Sequence, residues 1–144
     1  MKILIFGLPG SGKTTLAKPF AELIDAVHIN ADEVRTHYDD WDFSLEGRMR
    51  QANRMRHLSD GAVRAGRIVV TDFVCPTEEA RLAFAPDYTV WMDTIKEGRF
   101  ADTNKMFEAP TKYNYHVSEW FTDTHLVLKD VLVGYQNRVK NVSK

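Results

Sequence analysis

Cysteine is almost absent from this sequence: Cys75 is the single one among 144 residues. One cysteine excludes an internal disulfide and favours a reducing compartment. Long apolar runs are also absent. The stretch after Lys2 ends at Gly7, which is too short for the hydrophobic region of a secretion signal, and no other stretch approaches the length of a membrane span. We therefore expect a cytoplasmic protein without a membrane partner.

The sequence also lacks an excess of charge of either sign. The 19 Lys and Arg residues nearly balance the 20 Asp and Glu residues, so the formal net charge is −1. Such a chain has no global field to attract nucleic acid, and no nucleic-acid partner is expected. The histidines, at positions 28, 37, 57, 116 and 125, lack the spacing of zinc ligands. The length and a hydrophobic content of 44% suit a single domain, 1–144, with one core.

The segment Gly7–Thr14 carries the strongest signal. It reads G-L-P-G-S-G-K-T and matches G-x-x-x-x-G-K-[ST], the P-loop that surrounds nucleotide phosphates with backbone N–H groups. An apolar run precedes it and a helical pattern follows it, as the motif requires. Lys13 would contact the β- and γ-phosphates, and the Thr14 hydroxyl would bind Mg²⁺, so the predicted cofactors are ATP and Mg²⁺. The alternative is a glycine-rich turn without a ligand. The predicted cofactor-binding residues are Gly7, Pro9, Gly10, Ser11, Gly12, Lys13, Thr14 and Thr15.

Apolar strand-like runs alternate with helical patterns along the chain. Strands are predicted over 2–6, 27–30, 68–71, 89–92 and 113–117, and helices over 13–24, 32–37, 45–65, 78–84 and 120–139. A strand over 125–128 is the alternative for part of the last helix, and 93–110 is predicted to be a functional loop. The alternation predicts a three-layer α/β/α P-loop NTPase fold with a central, mostly parallel five-stranded sheet.

Two carboxylates stand at predicted strand ends, where ligands bind in such folds. Asp32 follows the second strand and is the candidate general base for an acceptor hydroxyl, or else it caps the following helix. Asp72 ends the third strand and would anchor Mg²⁺ through water, or else backbone amides satisfy it. With Lys13, these two residues are the predicted catalytic set.

Arginines near these positions suggest an anionic acceptor. Arg35 lies three residues after Asp32 on the same helix face and would bind the acceptor or pair with Asp32. Arg48 lies near Phe43, and an arginine beside an aromatic ring can hold a planar acidic ligand, although Phe43 could equally belong to the core. Cys75 fits a buried structural cysteine better than a reactive thiol.

These residues together resemble the adenylylsulfate kinase family, small P-loop enzymes that phosphorylate the ribose 3′-hydroxyl of adenosine 5′-phosphosulfate with MgATP. The resemblance spans about residues 1–118. Besides the P-loop, residues 30–35 read N-A-D-E-V-R where the family has D-G-D-x-[VL]-R, and D-F-S at 42–44 precedes Arg48. It continues with F-V-C-P at 73–76, Arg81, and F-E-A-P at 107–110 where the family has Y-E-x-P.

The resemblance implies that Asp32 serves the acceptor hydroxyl, that Arg35 and Arg48 bind the phosphosulfate group, and that Phe43 stacks on the acceptor adenine. The partner would be a small nucleotide-like substrate, and a homodimer is an open alternative. The substrate-binding residues predicted in this way are Arg35, Phe43, Arg48, Gln51, Phe73, Val74, Cys75 and Lys105.

Several positions depart from the family pattern. Gln51 replaces an asparagine, Cys75 replaces a serine, and Asp72 stands where the family has no acid. The basic lid helix of the family is missing between Asp93 and Phe107, which leaves Lys96, Arg99 and Lys105 to approach the phosphates. Three interpretations follow: a minimal kinase, a kinase for another hydroxyl such as a nucleotide or a nucleic-acid end, or a nucleotide-binding module without turnover.

Overall fold

The computed structural model describes residues 1–98 and 100–142, with the backbone alone at 142. Five strands form one sheet in the order β2-β3-β1-β4-β5, and every neighbouring pair is parallel. The predicted five-stranded sheet is therefore confirmed, and it is wholly parallel within the described residues. The strands are β1 (Lys2–Gly7), β2 (Val27–Asn30), β3 (Val69–Asp72), β4 (Tyr88–Met92) and β5 (Tyr115–Val117).

Helices cover both faces of the sheet, because each parallel connection must cross over a face to return to the same edge. On one face, α1 and α6 bury Leu16, Phe20 and Leu128. On the other face, α2, α3 and α4 bury Val34, Met55 and other apolar side chains. The helices are α1 (Lys13–Leu23), α2 (Ala31–Tyr38), α3 (Leu45–Arg64), α4 (Glu78–Phe84), α5 (Ala101–Met106) and α6 (Thr124–Val142).

The central strand β1 fixes the position of the P-loop. Its side chains alternate between the two cores: Ile3 and Ile5 pack with α1 and α6, whereas Leu4 and Phe6 pack with the opposite helices. All four side chains are 0% exposed. The loop that follows β1 therefore starts at the middle of the carboxyl edge, with β3 on one side and β4 on the other.

Side-chain caps define where three of the helices begin. Asn30, Ser44 and Thr77 accept hydrogen bonds from backbone N–H groups three residues later, each at 3.1 Å. The helix that Thr77 caps, α4, has the predicted bounds of 78–84. The alternative in which Asp32 caps its helix is wrong, because Asn30 caps α2 and leaves the Asp32 carboxylate for other contacts.

Two segments differ from the sequence-based expectation. The predicted loop 93–110 contains α5, a helix of six residues whose one buried side chain is Thr103, so no apolar period marks it in the sequence. The last helix begins at Thr124, and the strand alternative over 125–128 is wrong, because Leu128 and Leu132 pack one turn apart against the core. No helix in the described part of the chain is long and apolar enough to cross a membrane.

Two glycines of α3 provide a matched test of this packing. A Cβ at Gly47 would overlap the carbonyl oxygen of Asp42 and lie 2.6 Å from its Cγ, whereas a Cβ at Gly61 would meet nothing within 4 Å. We expect Gly47→Ala to lower the free energy of unfolding by about 1–3 kcal/mol, because the 39–44 loop must shift. Gly61→Ala should raise it by about 0.5–1 kcal/mol through helix propensity. Urea unfolding measures both, and equal effects would contradict the described packing.

Candidate active site

The P-loop has the conformation that a phosphate cradle needs. Gly10 and Gly12 take left-handed φ values of +87° and +95°, which side chains disfavour. A Cβ at Gly7 would lie 2.5 Å from the Met92 carbonyl oxygen, so glycine alone fits there. The Oγ of Ser11 is buried and has no hydrogen-bond partner among the described residues. A buried hydroxyl left unpaired within such a loop suits a phosphate oxygen as its partner.

Lys13 folds back over this loop. Its Nζ donates a hydrogen bond to the Leu8 carbonyl at 3.0 Å. Burial lowers the pKa of Lys13 to about 8, although the negative charges of Asp72 and Asp32 raise it and the positive charge of Arg48 lowers it further. The ammonium group is therefore poorly solvated and sits within electrostatic range of both predicted catalytic carboxylates. A phosphate bound in the loop would restore its full charge.

The carboxylate of Asp72 is the centre of a hydrogen-bonded cluster. It is 2% exposed, and its Oδ1 accepts from the Thr14 hydroxyl at 2.9 Å and from the Asn30 amide at 3.2 Å. Its Oδ2 is hydrogen-bonded to Nε2 of His28, which must carry the hydrogen because an ionised carboxylate only accepts. Side chains, and not the backbone amides considered above, satisfy this acid.

The Asp72 cluster fits Mg²⁺. The Thr14 hydroxyl donates its hydrogen to Asp72 and accepts one from the Asn30 amide, so one lone pair remains available to a cation. Hydroxyl and carboxylate oxygens are the hard ligands that Mg²⁺ prefers. Both Asp72 oxygens are already engaged, so Asp72 would act by orienting Thr14 or through water. In the family pattern the acid stands at the position of Asn30, which is the direct register partner of Asp72 on the neighbouring strand.

His28 and Asn30 were missed as site residues in the sequence. Asn30 followed by Glu33 has the spacing of a capping box, which is a usable signal for a helix start. His28 lies two residues before Asn30 on β2 and therefore points to the same face. The sequence contains no signal that places this face against Asp72, because strand register is a long-range property.

A small pocket of about 60 Å³, partly open to solvent, lies beside the Asp72 cluster. Asp32 lines it with every predicted substrate-binding residue except Lys105. Asn30, two residues before Asp32, donates to the Thr14 hydroxyl at 3.0 Å and so links the pocket to the P-loop. The complete lining is Ala31, Asp32, Arg35, Phe43, Arg48, Gln51, Phe73, Val74, Cys75 and Pro76.

The pocket is electropositive on one wall. The guanidinium groups of Arg35 and Arg48 lie over the Phe43 ring, 4.4 and 5.2 Å from its centroid. Arg48 donates to Thr103 Oγ1 at 2.7 Å, but its buried Nε has no partner among the described residues. Burial lowers the pKa of Arg48, and the nearby charge of Arg35 lowers it further. In the described part of the chain neither arginine forms an ion pair with a carboxylate, so the pairing of Arg35 with Asp32 is not observed. The wall therefore suits an anionic ligand.

The loop that carries Phe43 is held by charge. Arg50 contacts the carboxylates of Asp40 and Asp42 at 3.1 and 2.9 Å, and Arg54 contacts Asp40 at 2.7 Å. The hydrogen bonds from Arg50 and Arg54 hold the pKa of Asp40 well below its usual range. The Phe43 ring is 49% exposed, so it forms part of the surface and not of the core.

The 73–76 segment of the pocket lining is fixed by Arg81. Its guanidinium donates to the carbonyl oxygens of Cys75 at 3.0 Å, Pro76 at 3.2 Å and Glu108 at 2.6 Å. Cys75 is 1% exposed, and burial raises the pKa of its thiol. The interpretation of Cys75 as a structural cysteine fits this environment.

Lys105 is the one predicted substrate-binding residue that does not line this pocket. It is exposed on α5, and it lies two residues, or about 200° of helix rotation, from Thr103, whose hydroxyl meets Arg48. The structure therefore does not bring it to the pocket. Lys96 forms an ion pair with Asp93, with Nζ 3.4 Å from Oδ1, and Arg99 lies outside the described residues. Thr94 donates to the Ser11 carbonyl at 2.7 Å, so this segment supports the P-loop from its β4 side.

A glycine-rich phosphate loop at the carboxyl edge of a parallel sheet, with the Asp72 cluster beside it, defines a P-loop nucleotide-binding domain. The chain matches the AAA domain family over residues 3–88, more than half of its length, and belongs to that family. A curated relative from Aeropyrum pernix, described as a probable adenylyl-sulfate kinase, is 34% identical over 85 residues. The match covers 55% of this chain and 46% of that protein, so this chain spans about half the length of its relative.

Solved kinase structures share the fold. The Mycobacterium tuberculosis APS kinase in complex with AMPPNP and APS has a TM-score of 0.77 at 17% identity and covers 91% of this chain and 96% of its own. Shikimate kinase from Aquifex aeolicus has a TM-score of 0.64 at 18% identity, with 96% and 98% covered. At these identities the likeness establishes the fold alone.

The lowered pKa of Lys13 makes nucleotide binding pH-dependent. Below pH 8 the free protein already carries the ammonium charge, whereas above it the lysine is mostly neutral and must take up a proton to meet a phosphate. We therefore expect the affinity for MgATP to fall by about fivefold from pH 8 to pH 9, with proton uptake on binding.

Calorimetry in buffers of different ionisation enthalpy measures both quantities. The control is Lys18→Ala, which removes an exposed lysine from the same helix and should leave the pH profile unchanged. An affinity that is constant from pH 7 to pH 9 would contradict the assignment of Lys13 to the phosphates.

Proposed function

We propose that this chain is an ATP-dependent phosphotransferase that transfers the γ-phosphate to a hydroxyl of a small, anionic, nucleotide-like acceptor. The observation that carries the proposal is a pocket lined by Asp32 and by two arginines, neither of which forms an ion pair among the described residues, beside the P-loop and the Asp72 cluster. A donor cradle, a metal position, a base and an acceptor anion site are what phosphoryl transfer requires.

The proposed roles follow from these contacts. The P-loop amides and Lys13 hold the β- and γ-phosphates, and Thr14, oriented by Asp72, binds Mg²⁺, which would neutralise charge on the transferred group. Asp32 accepts the proton of the acceptor hydroxyl as that oxygen attacks. Arg35 and Arg48 hold the acceptor anion, and the exposed part of the Phe43 ring offers a surface for a planar base.

Adenosine 5′-phosphosulfate is the first candidate acceptor. It carries the anion, the ribose hydroxyl and the planar base that this pocket provides for, and the name of the Aeropyrum relative and the ligands of the Mycobacterium structure support it. A second candidate is another small anionic alcohol. The modest volume of the pocket and the missing lid favour this second acceptor, as does the fold shared with shikimate kinase.

Acceptor-dependent ATP consumption separates these candidates. The wild-type protein is incubated with MgATP alone, with adenosine 5′-phosphosulfate, and with a panel of other anionic alcohols, and ADP formation is followed. We expect ADP to form at a substantial rate only when adenosine 5′-phosphosulfate is present. Turnover with another alcohol alone would replace the acceptor, and tight ATP binding without any turnover would identify a nucleotide-binding module.

Asp32→Asn tests the proposed base. The amide keeps the shape of the side chain but cannot accept the proton, so we expect kcat to fall by about 10²-fold or more while the Kd for MgATP stays within about twofold. Asp39→Asn is the matched control, because Asp39 is exposed, ends the same helix and adopts a left-handed conformation that asparagine tolerates. A near-normal rate in Asp32→Asn would remove Asp32 from the reaction.

A further inference from the structure

The loop between β5 and α6 carries a tryptophan against the P-loop. A Cβ at Gly12, the residue before Lys13, would lie 4.0 Å from Cε3 of Trp120. The Trp120 side chain is 40% exposed. No ring-stacking or cation–π contact within the described residues involves it, whereas Trp91 stacks on His116 with the ring centroids 4.5 Å apart. A large indole therefore stands beside the phosphate cradle with much of its surface open.

The strand order tells which end of a nucleotide would reach this ring. The proposed acceptor pocket is built from segments that follow β2 and β3, on one side of β1. Trp120 follows β5, on the other side of β1. In phosphoryl transfer the attacking and leaving oxygens lie roughly in line across the γ-phosphate. The nucleoside of the donor must therefore extend away from the acceptor pocket, towards the β4 and β5 side of the P-loop.

The backbone that follows Trp120 is held by the start of α6. The buried Thr124 hydroxyl accepts from the Phe121 N–H and donates to the Phe121 carbonyl, both at 2.9 Å. This tight turn immediately follows Trp120 and limits the movement of its backbone. An aromatic side chain on a fixed backbone loses little conformational entropy when a ligand stacks on it.

We propose that Trp120 is the platform on which the purine base of the bound nucleoside triphosphate stacks. This inference rests on the proposed function, because it requires the triphosphate to lie in the P-loop. Stacking uses the π-face that every base has and contributes affinity without hydrogen-bond readout. The P-loop then holds the phosphates and Trp120 holds the base, so the two contributions to affinity can be separated.

The test compares two ligands that share the phosphates and differ in the base. Dissociation constants for MgATP and for magnesium tripolyphosphate are measured by calorimetry with wild type, Trp120→Ala, Trp120→Phe and Trp41→Ala. We expect Trp120→Ala to weaken MgATP by about 10-fold and to leave tripolyphosphate unchanged, and Trp120→Phe to retain most of the ATP affinity. Trp41→Ala removes another exposed tryptophan, on the 39–44 loop, and should change neither constant.

The remaining outcomes would overturn the proposal in distinguishable ways. Unchanged ATP affinity in Trp120→Ala, or an equal loss for both ligands, would make Trp120 a structural residue and leave the proposed function intact. An equal loss of ATP affinity in Trp41→Ala would show that the effect is not specific to this ring. Failure of the wild type to bind either ligand would overturn the proposed function and the platform together.

Discussion

The buried carboxylate of Asp72 is the contact on which the arrangement of the site depends. It receives hydrogen bonds from the first turn of α1 through Thr14 and from β2 through His28 and Asn30. Burial of an ionised carboxylate is expensive unless such donors surround it, so the three partners are held where the acid needs them. Asn30 also caps α2, and the helix that carries Asp32 and Arg35 is thereby fixed relative to the P-loop.

Unsatisfied polar groups concentrate in the same region. Ser11 Oγ, Arg48 Nε and Gln51 Oε1 are three of the five buried side-chain atoms without a hydrogen-bond partner among the described residues. Together with the desolvated ammonium of Lys13 they lower the stability of the free protein. A ligand that supplies partners to these atoms removes those costs and therefore favours the folded state. The site is therefore preorganised for a ligand, and the cost is a lower stability of the ligand-free protein.

Local signals in the sequence predict most of the fold. The P-loop can be recognised in the sequence because its glycines and lysine are close together in one short motif. Helix α4 has the predicted bounds because Thr77 and two glutamates mark its start. The positions of Asp32, Arg35 and Arg48 in one pocket accord with the family pattern. The hydrogen bond between His28 and Asp72 depends on strand register. Helix α5 is too short to show a hydrophobic period, and the exposure of Lys105 depends on which face of that helix packs inward. These features arise from contacts between distant segments.

The lone thiol has a practical consequence. Cys75 lines the pocket wall yet is 1% exposed, and its raised pKa keeps it protonated at neutral pH. A protonated thiol is a poor nucleophile, so alkylating reagents react only with molecules in which the 73–76 segment has opened. Because no other cysteine competes, the rate of labelling is a direct gauge of how often this wall detaches, and an occupied pocket would slow it.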